Sequence, residues 1–170
     1  MGFSSKIYLV GLPGSGKTTL GNALADYLNV PFLDLDTEIE KSAGMSIPDY
    51  FKQQGEGNFR IAEKEALRNA SAANDGFVMA TGGGTPCFHY NMDYMNESGR
   101  TIFLDVSAGD LALRILEQGV ENRPLFKSYD HQDLIQEVRD LASTRLIFYD
   151  EAQIKIRDNR ITLDKIISHI

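Results

Sequence analysis

The chain has 170 residues, of which 42% are hydrophobic and 24% charged, and its formal net charge is -7. The length suits a single domain, residues 1–170. The acidic balance excludes the basic field of a nucleic-acid-binding protein, and no apolar stretch reaches the roughly 18 residues that span a bilayer. The first six residues lack a signal-peptide pattern, and the single cysteine, Cys87, has no internal disulfide partner. We therefore expect a small cytoplasmic protein that binds neither nucleic acid nor membrane.

Short apolar segments alternate with longer segments of helical periodicity. The short segments, which favour strands buried on both faces of a parallel sheet, are Ile7–Val10, Phe32–Leu35, Phe77–Ala80, Thr101–Leu104 and Ile154–Ile156. The predicted helices are Thr18–Leu28, Ile47–Ala70, Leu111–Gln118, Gln132–Ala152 and a short one near Thr162–Ile170. This alternation predicts a doubly wound α/β fold with right-handed crossovers, whose ligands bind beyond the carboxyl ends of the strands.

The first predicted strand leads into a glycine-rich segment that matches the phosphate-binding pattern G-x-x-x-x-G-K-[ST]. Its glycines allow a sharp turn whose N–H groups point at an anion, beside the N-terminus of the following helix. Lys17 is expected to reach the β- and γ-phosphates of a nucleotide, and Thr18 to ligate its magnesium. A chance glycine-rich turn is the alternative. The predicted nucleotide contacts are Gly11, Gly14, Ser15, Gly16, Lys17, Thr18 and Thr19.

The strings N-K-x-D and D-x-x-G of GTPases do not occur in the sequence. The third predicted strand ends in glycines, whereas a strand that carries the second nucleotide motif of many ATPases ends in aspartate. Another acidic group must therefore serve the metal, and the pattern predicts a small phosphotransferase rather than a switch or a motor.

Two aspartates, Asp34 and Asp36, end the second predicted strand. Residues i and i+2 of a strand point the same way, so both carboxylates are expected to project from one face of its carboxyl end. One would help to hold Mg²⁺, and the other would accept a hydroxyl proton. The alternative is that Asp36 is an acidic N-cap before the helix-like segment Thr37–Ala43.

Two predicted helices carry a charged side chain on an apolar stripe. Glu63 shares its stripe with apolar residues, and Arg60 precedes it by three positions. This spacing fits a surface ion pair, and it equally fits an arginine that Glu63 positions to clamp an anionic substrate. Arg145 interrupts the stripe of the late helix and requires an anion there, unless it snorkels at the helix edge.

Two further segments suggest ligand contacts. Gly82–Gly84 directly follow the third strand and permit a close approach of the backbone to a ligand, although a tight turn has the same sequence. Arg123 lies in a polar stretch, Glu117–Asp133, that is long enough to form a lid whose arginine meets the γ-phosphate on closure. A plain solvated loop is the alternative. Arg114 is a second, weaker candidate for a nucleotide contact.

Together these segments resemble the shikimate kinase family over nearly the whole chain. The strings D-x-D, F-R-x-x-E, G-G-G and R-P-L in this order are more specific than the phosphate-binding loop. The resemblance implies a three-layer P-loop kinase fold, in which helices flank a five-stranded parallel sheet, with a mobile lid at roughly 116–130. It also implies ATP- and Mg²⁺-dependent phosphorylation of the 3-hydroxyl of shikimate, a step towards chorismate and the aromatic amino acids, by a monomer.

The resemblance also implies roles for individual residues. Arg60 and Arg145 would hold the shikimate carboxylate, and Asp36 the reacting hydroxyl, with an acceptor-binding segment at roughly 36–63. Lys17 and Arg123 would flank the transferred phosphoryl group. Thr18 and Asp34 would serve Mg²⁺. The remaining implied contacts are Phe59, Gly82, Gly83 and Gly84 for shikimate, Glu63 as support for Arg60, and the segment 157–160 with Arg160 beside the adenine.

The chain departs from the family pattern at two positions. Seven residues before the R-P-L arginine, where the family places a nucleotide-contacting arginine, the chain has Leu116; Arg114 can substitute if the approach to the lid is two residues longer. Thr85-Pro86-Cys87 is an unusual continuation of the glycines, to which the sequence assigns no effect. The residues do not exclude a related polyol acid such as gluconate as acceptor, nor a catalytically silent nucleotide-binding regulator.

Overall fold

A computed structural model describes residues 5–119, 126 and 130–170. Five strands form one sheet in the order β2-β3-β1-β4-β5. They are β1 (Lys6–Val10), β2 (Phe32–Asp34), β3 (Phe77–Ala80), β4 (Arg100–Asp105) and β5 (Ile154–Arg157). Every neighbouring pair is parallel. The predicted five-stranded parallel sheet is therefore confirmed.

Seven helices lie within the described part of the chain. They are α1 (Lys17–Leu28), α2 (Leu35–Ala43), α3 (Ile47–Ala72), α4 (Asn91–Ser98), α5 (Ala108–Gln118), α6 (His131–Tyr149) and α7 (Leu163–Ile167). The periodicity did not predict α4, because this short helix buries only Met92 and Met95 as apolar anchors. The helix α6 ends at Tyr149 rather than at the predicted Ala152. The next residue, Asp150, is its C-cap and donates its N–H to carbonyls of the last turn.

The core lies between the sheet and the helices that cover its two faces. Ile7, Leu9 and Val10 of β1, like Phe77 and Val78 of β3, are completely buried. Each such side chain contributes about 1.5–3 kcal/mol of transfer free energy. A strand buried on both faces needs no polar alternation, which explains the continuous apolar segments in the sequence. No helix in the described ranges combines the length and the hydropathy needed to cross a bilayer.

The strand β2 ends one residue earlier than predicted, and this changes the geometry of the aspartates. Asp34 is the N-cap of α2, and its carboxylate accepts a hydrogen bond of 3.2 Å from the N–H of Thr37. Asp36 therefore lies in the first turn of α2, and the expectation that both carboxylates share one face of a strand is wrong. The cap is Asp34 rather than Asp36, because its side chain reaches a helix N–H that has no partner within the helix.

The helix α3 is interrupted at Gly55, which has φ 77° and ψ 171°. These angles are nearly exclusive to glycine and break the helical ladder. The break separates the first turns of α3 from the segment that carries Phe59, Arg60 and Glu63. The continuous helix that the periodicity predicted over Ile47–Ala70 is therefore wrong at this point.

Candidate active site

A cleft of about 680 Å³ lies at the carboxyl ends of the central strands. Segments after β1, β2 and β3 line it, together with residues of α3 and α6, as expected for a doubly wound sheet. The predicted residues that line the cleft are Gly14, Gly16, Lys17, Thr18, Thr19, Asp34, Asp36, Phe59, Arg60, Glu63, Gly82, Gly83, Gly84 and Arg145. Arg123 lies outside the described residues.

The phosphate-binding loop has the backbone that its glycines predict. Gly11, Gly14 and Gly16 have φ values of 148°, 85° and 95°, which side-chain-bearing residues rarely adopt. Gly16 is the N-cap of α1, so the loop delivers the helix N-terminus to the cleft. Ser15 is 1% exposed, behind the surface of the cleft. The loop therefore presents backbone N–H groups and a helix dipole to an anion.

Lys17 is largely buried and extends along this loop. Its Nζ donates hydrogen bonds of 2.8 Å to the Gly11 carbonyl and 3.0 Å to the Leu12 carbonyl. The ammonium group is therefore held among loop atoms at the wall of the cleft, in position to meet an anion that enters the loop.

The side chains of Thr18 and Asp34 are neighbours in the lining of the cleft. The Thr18 Oγ1 donates to the Asp34 Oδ2 over 3.4 Å. Among the described residues, no three His, Cys, Asp or Glu side chains group closely enough to hold a metal ion by themselves. One hydroxyl and one carboxylate are the oxygen ligands that suit Mg²⁺ when a nucleotide and water supply the rest.

Asp36 faces the open cleft from the first turn of α2. Partial burial raises the pKa of its carboxyl to about 6, with smaller contributions from the negative charges of Asp34 and Glu63 that the positive charge of Lys17 opposes. A carboxylate with a pKa near neutrality is a better proton acceptor than an ordinary aspartate, and it remains mostly ionised at pH 7.

Arg60 is held on several sides. Its Nη1 donates to the buried Glu63 Oε2 over 2.9 Å, and its Nη2 donates to the more exposed Glu56 Oε1 over 3.2 Å. The guanidinium carbon lies 4.2 Å from the centre of the Phe88 ring and 5.2 Å from that of Phe59. Of the two possibilities left by the sequence, a surface ion pair is wrong, because both Arg60 and Glu63 are buried.

Arg145 reaches the same cleft from α6. Its Nη1 is buried and has no hydrogen-bond partner in the described part of the chain. The neighbouring Tyr149 donates its hydroxyl to the Gly83 carbonyl over 2.5 Å, and burial raises the pKa of this phenol. An unpaired buried guanidinium N–H is costly, and an anionic group beside this atom would offset that cost.

Gly82–Gly84 leave no room for a side chain, because neighbouring side chains occupy the place where each Cβ would lie; none of the three has a positive φ. A Cβ at Gly84 would lie 2.6 Å from the Arg60 Nη2, and one at Gly83 would lie 2.8 Å from the Arg145 Nη1. A Cβ at Gly82 would lie 3.3 Å from both the Asp36 Oδ1 and the Glu63 Oε1. The close approach predicted at these glycines therefore involves the charged side chains of the cleft.

Arg114 contacts the phosphate-binding loop from α5. Its guanidinium donates to the Gly14 carbonyl over 3.2 Å and to the Asn159 carbonyl over 2.9 Å. It thereby connects the loop to the segment 157–160. Arg160 is exposed, and its N–H donates to the Asp158 carboxylate over 3.0 Å. Neither arginine lines the cleft itself.

The sequence did not predict an apolar wall of the cleft. Ile47, Pro48 and Phe51 line it from the start of α3, and the Phe51 ring packs 4.4 Å from the ring of Phe59. The recurrence of apolar residues at positions 47 and 51 was the available signal. Other lining residues that were not predicted are Pro13, Ala80, Thr81, Gln118 and Phe126.

Comparisons with known proteins agree with this geometry. The family model for shikimate kinase matches residues 13–170. A shikimate kinase from Bacteroides thetaiotaomicron is 39% identical over 148 residues, which are 87% of this chain and 83% of the relative.

Two solved structures have the same fold. A crystal structure of shikimate kinase from Bacteroides thetaiotaomicron superposes with a TM-score of 0.85 at 36% identity, covering 96% of this chain and 93% of the other. Shikimate kinase from Acinetobacter baumannii in complex with shikimate superposes with a TM-score of 0.83 at 32% identity, covering 98% and 90%. The P-loop kinase fold is therefore confirmed, and the chain belongs to the shikimate kinase family.

Proposed function

We propose that the cleft transfers the γ-phosphoryl group of ATP to the 3-hydroxyl of shikimate, giving shikimate 3-phosphate and ADP. Membership of the family makes the chain an ATP-dependent kinase of aromatic amino acid biosynthesis. The observation that carries the proposal is that one cleft combines a phosphate-binding loop with two arginines, Arg60 and Arg145, from different helices. Such a cleft suits a nucleotide triphosphate and a carboxylate-bearing acceptor together.

The nucleotide lies along the phosphate-binding loop in this proposal. Backbone N–H groups of residues 11–19 surround its phosphates, and Lys17 neutralises the β- and γ-phosphates. Arg114 supports this site by holding the Gly14 carbonyl, and Arg160 borders the adenine. Arg123, which rests on the family resemblance, supplies a second cation at the γ-phosphate.

Thr18 and Asp34 are the residues that fit Mg²⁺, because their oxygens lie 3.4 Å apart beside the loop. When bound with ATP, the ion would neutralise negative charge on the phosphate oxygens. The cap bond from the Thr37 N–H fixes the Asp34 carboxylate in this position.

The acceptor lies between the loop and α3 in this proposal. Arg60 and Arg145 bind its carboxylate, and the unpaired Arg145 Nη1 supports this assignment. Glu63 orients Arg60, while the Gly82–Gly84 backbone lets both arginines approach closely. The Phe59 ring contributes to the wall against which the acceptor ring packs.

Asp36 accepts the proton of the 3-hydroxyl as the oxygen attacks the γ-phosphorus. A new O–P bond forms, the bond from phosphorus to the departing ADP oxygen breaks, and the proton resides on the Asp36 carboxylate. Lys17 and Arg123 stabilise the charge that develops on the transferred group. Catalysis is therefore mainly positioning and electrostatic stabilisation.

We further propose that residues 116–130 form a lid and residues 36–63 an acceptor-binding segment within one domain, residues 1–170. Residues 120–125 and 127–129 of the proposed lid lie outside the described residues. Gln118 and Phe126, which belong to the same segment, line the cleft and support this division. We also propose a monomer in the cytoplasm without nucleic-acid or membrane partners. The acidic net charge of -7 supports the part of this proposal that concerns binding, because it opposes self-association and attraction to polyanionic surfaces.

A coupled assay of ADP release tests the proposed function. Purified protein is given ATP with shikimate, with gluconate, or with no acceptor, each with Mg²⁺ and with excess EDTA. We expect turnover only with shikimate and Mg²⁺. Turnover with gluconate but not with shikimate overturns the proposed acceptor. If neither acceptor raises ADP release above the sample without acceptor, the proposed kinase reaction is overturned and the catalytically silent alternative is favoured.

A pair of variants on α6 adds a control to this assay. Arg145→Ala removes the guanidinium whose Nη1 has no hydrogen-bond partner among the described residues, and it is expected to raise the KM for shikimate at least about tenfold, with ATP affinity retained. Arg139→Ala removes an exposed arginine from the same helix and is expected to leave both values unchanged. Equal loss of both ligands in Arg145→Ala contradicts its proposed role.

A further inference from the structure

The segment Thr85–Phe88, to which neither the sequence nor the proposed mechanism gives a role, lies against the acceptor-binding arginine. Thr85–Cys87 form a 3₁₀ turn directly after Gly84. Thr85 is completely buried. Its Oγ1 donates a hydrogen bond of 2.7 Å to the Glu63 Oε1. Thus a residue that is 22 positions away in sequence contacts the carboxylate that orients Arg60.

The two oxygens of the Glu63 carboxylate have different partners. Oε1 accepts from Thr85, and Oε2 accepts from the Arg60 Nη1 over 2.9 Å. Glu63 is 1% exposed, so water does not compensate for a missing hydrogen bond there. The Thr85 hydroxyl therefore sets the rotation of the carboxylate and, through it, the direction of the Arg60 guanidinium.

Thr85 is itself fixed by the surrounding backbone and side chains. Its N–H donates to the Gly82 carbonyl over 3.1 Å, and its carbonyl accepts from the Asn91 Nδ2 over 3.0 Å. Asn91, which is also completely buried, accepts from the Arg68 Nη1 over 2.8 Å. The hydroxyl therefore belongs to a rigid support that α3 and α4 both anchor, rather than to a mobile loop.

The same segment covers Arg60 with an aromatic ring. Phe88 lies 4.2 Å from the guanidinium carbon, closer than Phe59 at 5.2 Å. Stacking restricts tilting of the guanidinium plane but does not determine which N–H points at a ligand. The in-plane direction is left to the hydrogen bonds that Arg60 donates to the exposed Glu56 and to the buried Glu63, and Thr85 holds the buried partner of the two.

We propose that Thr85 is a positioning residue for the acceptor, acting through Glu63 on Arg60. The proposal rests on the assignment of Arg60 to the acceptor carboxylate. Without the hydroxyl, the Glu63 Oε1 loses a buried partner, and the carboxylate can turn towards Arg60 or away from it. The arginine then meets the acceptor carboxylate at a less favourable angle, while the phosphate-binding loop is unaffected.

The test is the substitution Thr85→Val, which removes the hydroxyl and keeps the shape. We expect the KM for shikimate to rise about tenfold, the loss typical of one hydrogen bond to a charged group. The kcat is expected to stay within about threefold, and the KM for ATP unchanged, because the change concerns acceptor binding. Thr85→Ser restores the hydroxyl and is expected to return the KM for shikimate close to the wild-type value.

Two controls separate positioning from general stability. Thr101→Val removes another completely buried threonine hydroxyl, which donates to the Asn96 Oδ1 away from the cleft, and is expected to leave both KM values unchanged. In a Glu63→Gln background, Thr85→Val is expected to change the KM for shikimate by less than about twofold, because the effect passes through the carboxylate.

Thermal melts of each variant complete the experiment. A wild-type KM for shikimate in Thr85→Val overturns the inference, and so does a lower Tm accompanied by equal losses towards shikimate and ATP. A full additional loss in the Glu63→Gln background also overturns it. Absence of wild-type turnover with shikimate would instead refute the proposed function, so the two failures are distinguishable.

Discussion

At Gly84 a single hydrogen atom in place of a side chain leaves the space that the Arg60 guanidinium occupies. Its φ is negative, so the backbone alone would tolerate alanine. A Cβ would nevertheless lie within 2.9 Å of three guanidinium atoms of Arg60. That guanidinium cannot move aside easily, because Glu63 and Phe88 hold it. The glycine is therefore required by close packing against the buried Arg60 guanidinium.

We predict that Gly84→Ala raises the KM for shikimate about tenfold or more and leaves the KM for ATP within about twofold, because Arg60 is displaced and the loop is not. Steady-state kinetics with each substrate varied in turn measures both values. Gly109→Ala is the control, since a Cβ there meets nothing within 4 Å. Equal kinetics for the two variants would refute the packing explanation.

Among the elements, α3 combines two helical segments with different tasks. The first part contributes the apolar wall at positions 47 and 51, and the second contributes Arg60 and Glu63. Gly55 changes the direction of the chain between them. In a straight helix, the position of Arg60 relative to the apolar wall would be fixed by the helical repeat. The break at Gly55 removes that constraint.

We predict that Gly55→Ala lowers the free energy of unfolding by about 1–3 kcal/mol, because φ 77° with ψ 171° is strained for any residue with a Cβ. Denaturant unfolding measures the change. Gly57→Ala, two residues later in regular helix with open space around it, should instead raise the stability by about 0.5–1 kcal/mol. Similar effects of the two substitutions would contradict the strain at Gly55.

At the scale of the whole molecule, a chain of net charge -7 gathers cations and carboxylates in one cleft. Partial burial, together with the nearby negative charges of Asp34 and Glu63, raises the pKa of Asp36 to about 6. Because its pKa is higher in the folded protein than the ordinary value of 3.8, the ionised carboxylate opposes folding. The protonated carboxyl therefore favours the folded state, and this favourable contribution to the free energy of unfolding is lost as the pH rises from about 4 towards 6.

We predict that Asp36→Asn abolishes most turnover but raises the Tm of the protein free of nucleotide and metal. Since the carboxyl faces the open cleft, solvent screening limits the gain to about 1 kcal/mol, or about 2–4 °C. The gain should be larger at pH 7.5, where Asp36 is ionised, than at pH 5, where it is mostly protonated. Thermal melts at the two pH values check this, and a gain that is equal at both contradicts the raised pKa.

The amino-acid sequence by itself was sufficient to predict the parallel sheet, the phosphate-binding loop and the charged residues that line the cleft. These depend on local patterns, since buried strands are continuously apolar and the positive φ values of the phosphate-binding loop are readily adopted only by glycine, here Gly11, Gly14 and Gly16. Lys17 was identifiable from the phosphate-binding pattern. Glu63 and Arg145 were identifiable because a charge on an apolar stripe is visible in the helical period, and Arg60 because it precedes Glu63 by three positions.

Only the tertiary structure decided how these residues meet. The packing of α3 against the segment that follows β3 brings Thr85 to Glu63 across 22 residues and Gly84 against Arg60. The structure also shows that Asp34 caps α2 and that Asp36 belongs to the helix. Local sequence patterns encode backbone conformation and burial, whereas contacts between distant segments depend on long-range packing that no short window of sequence contains.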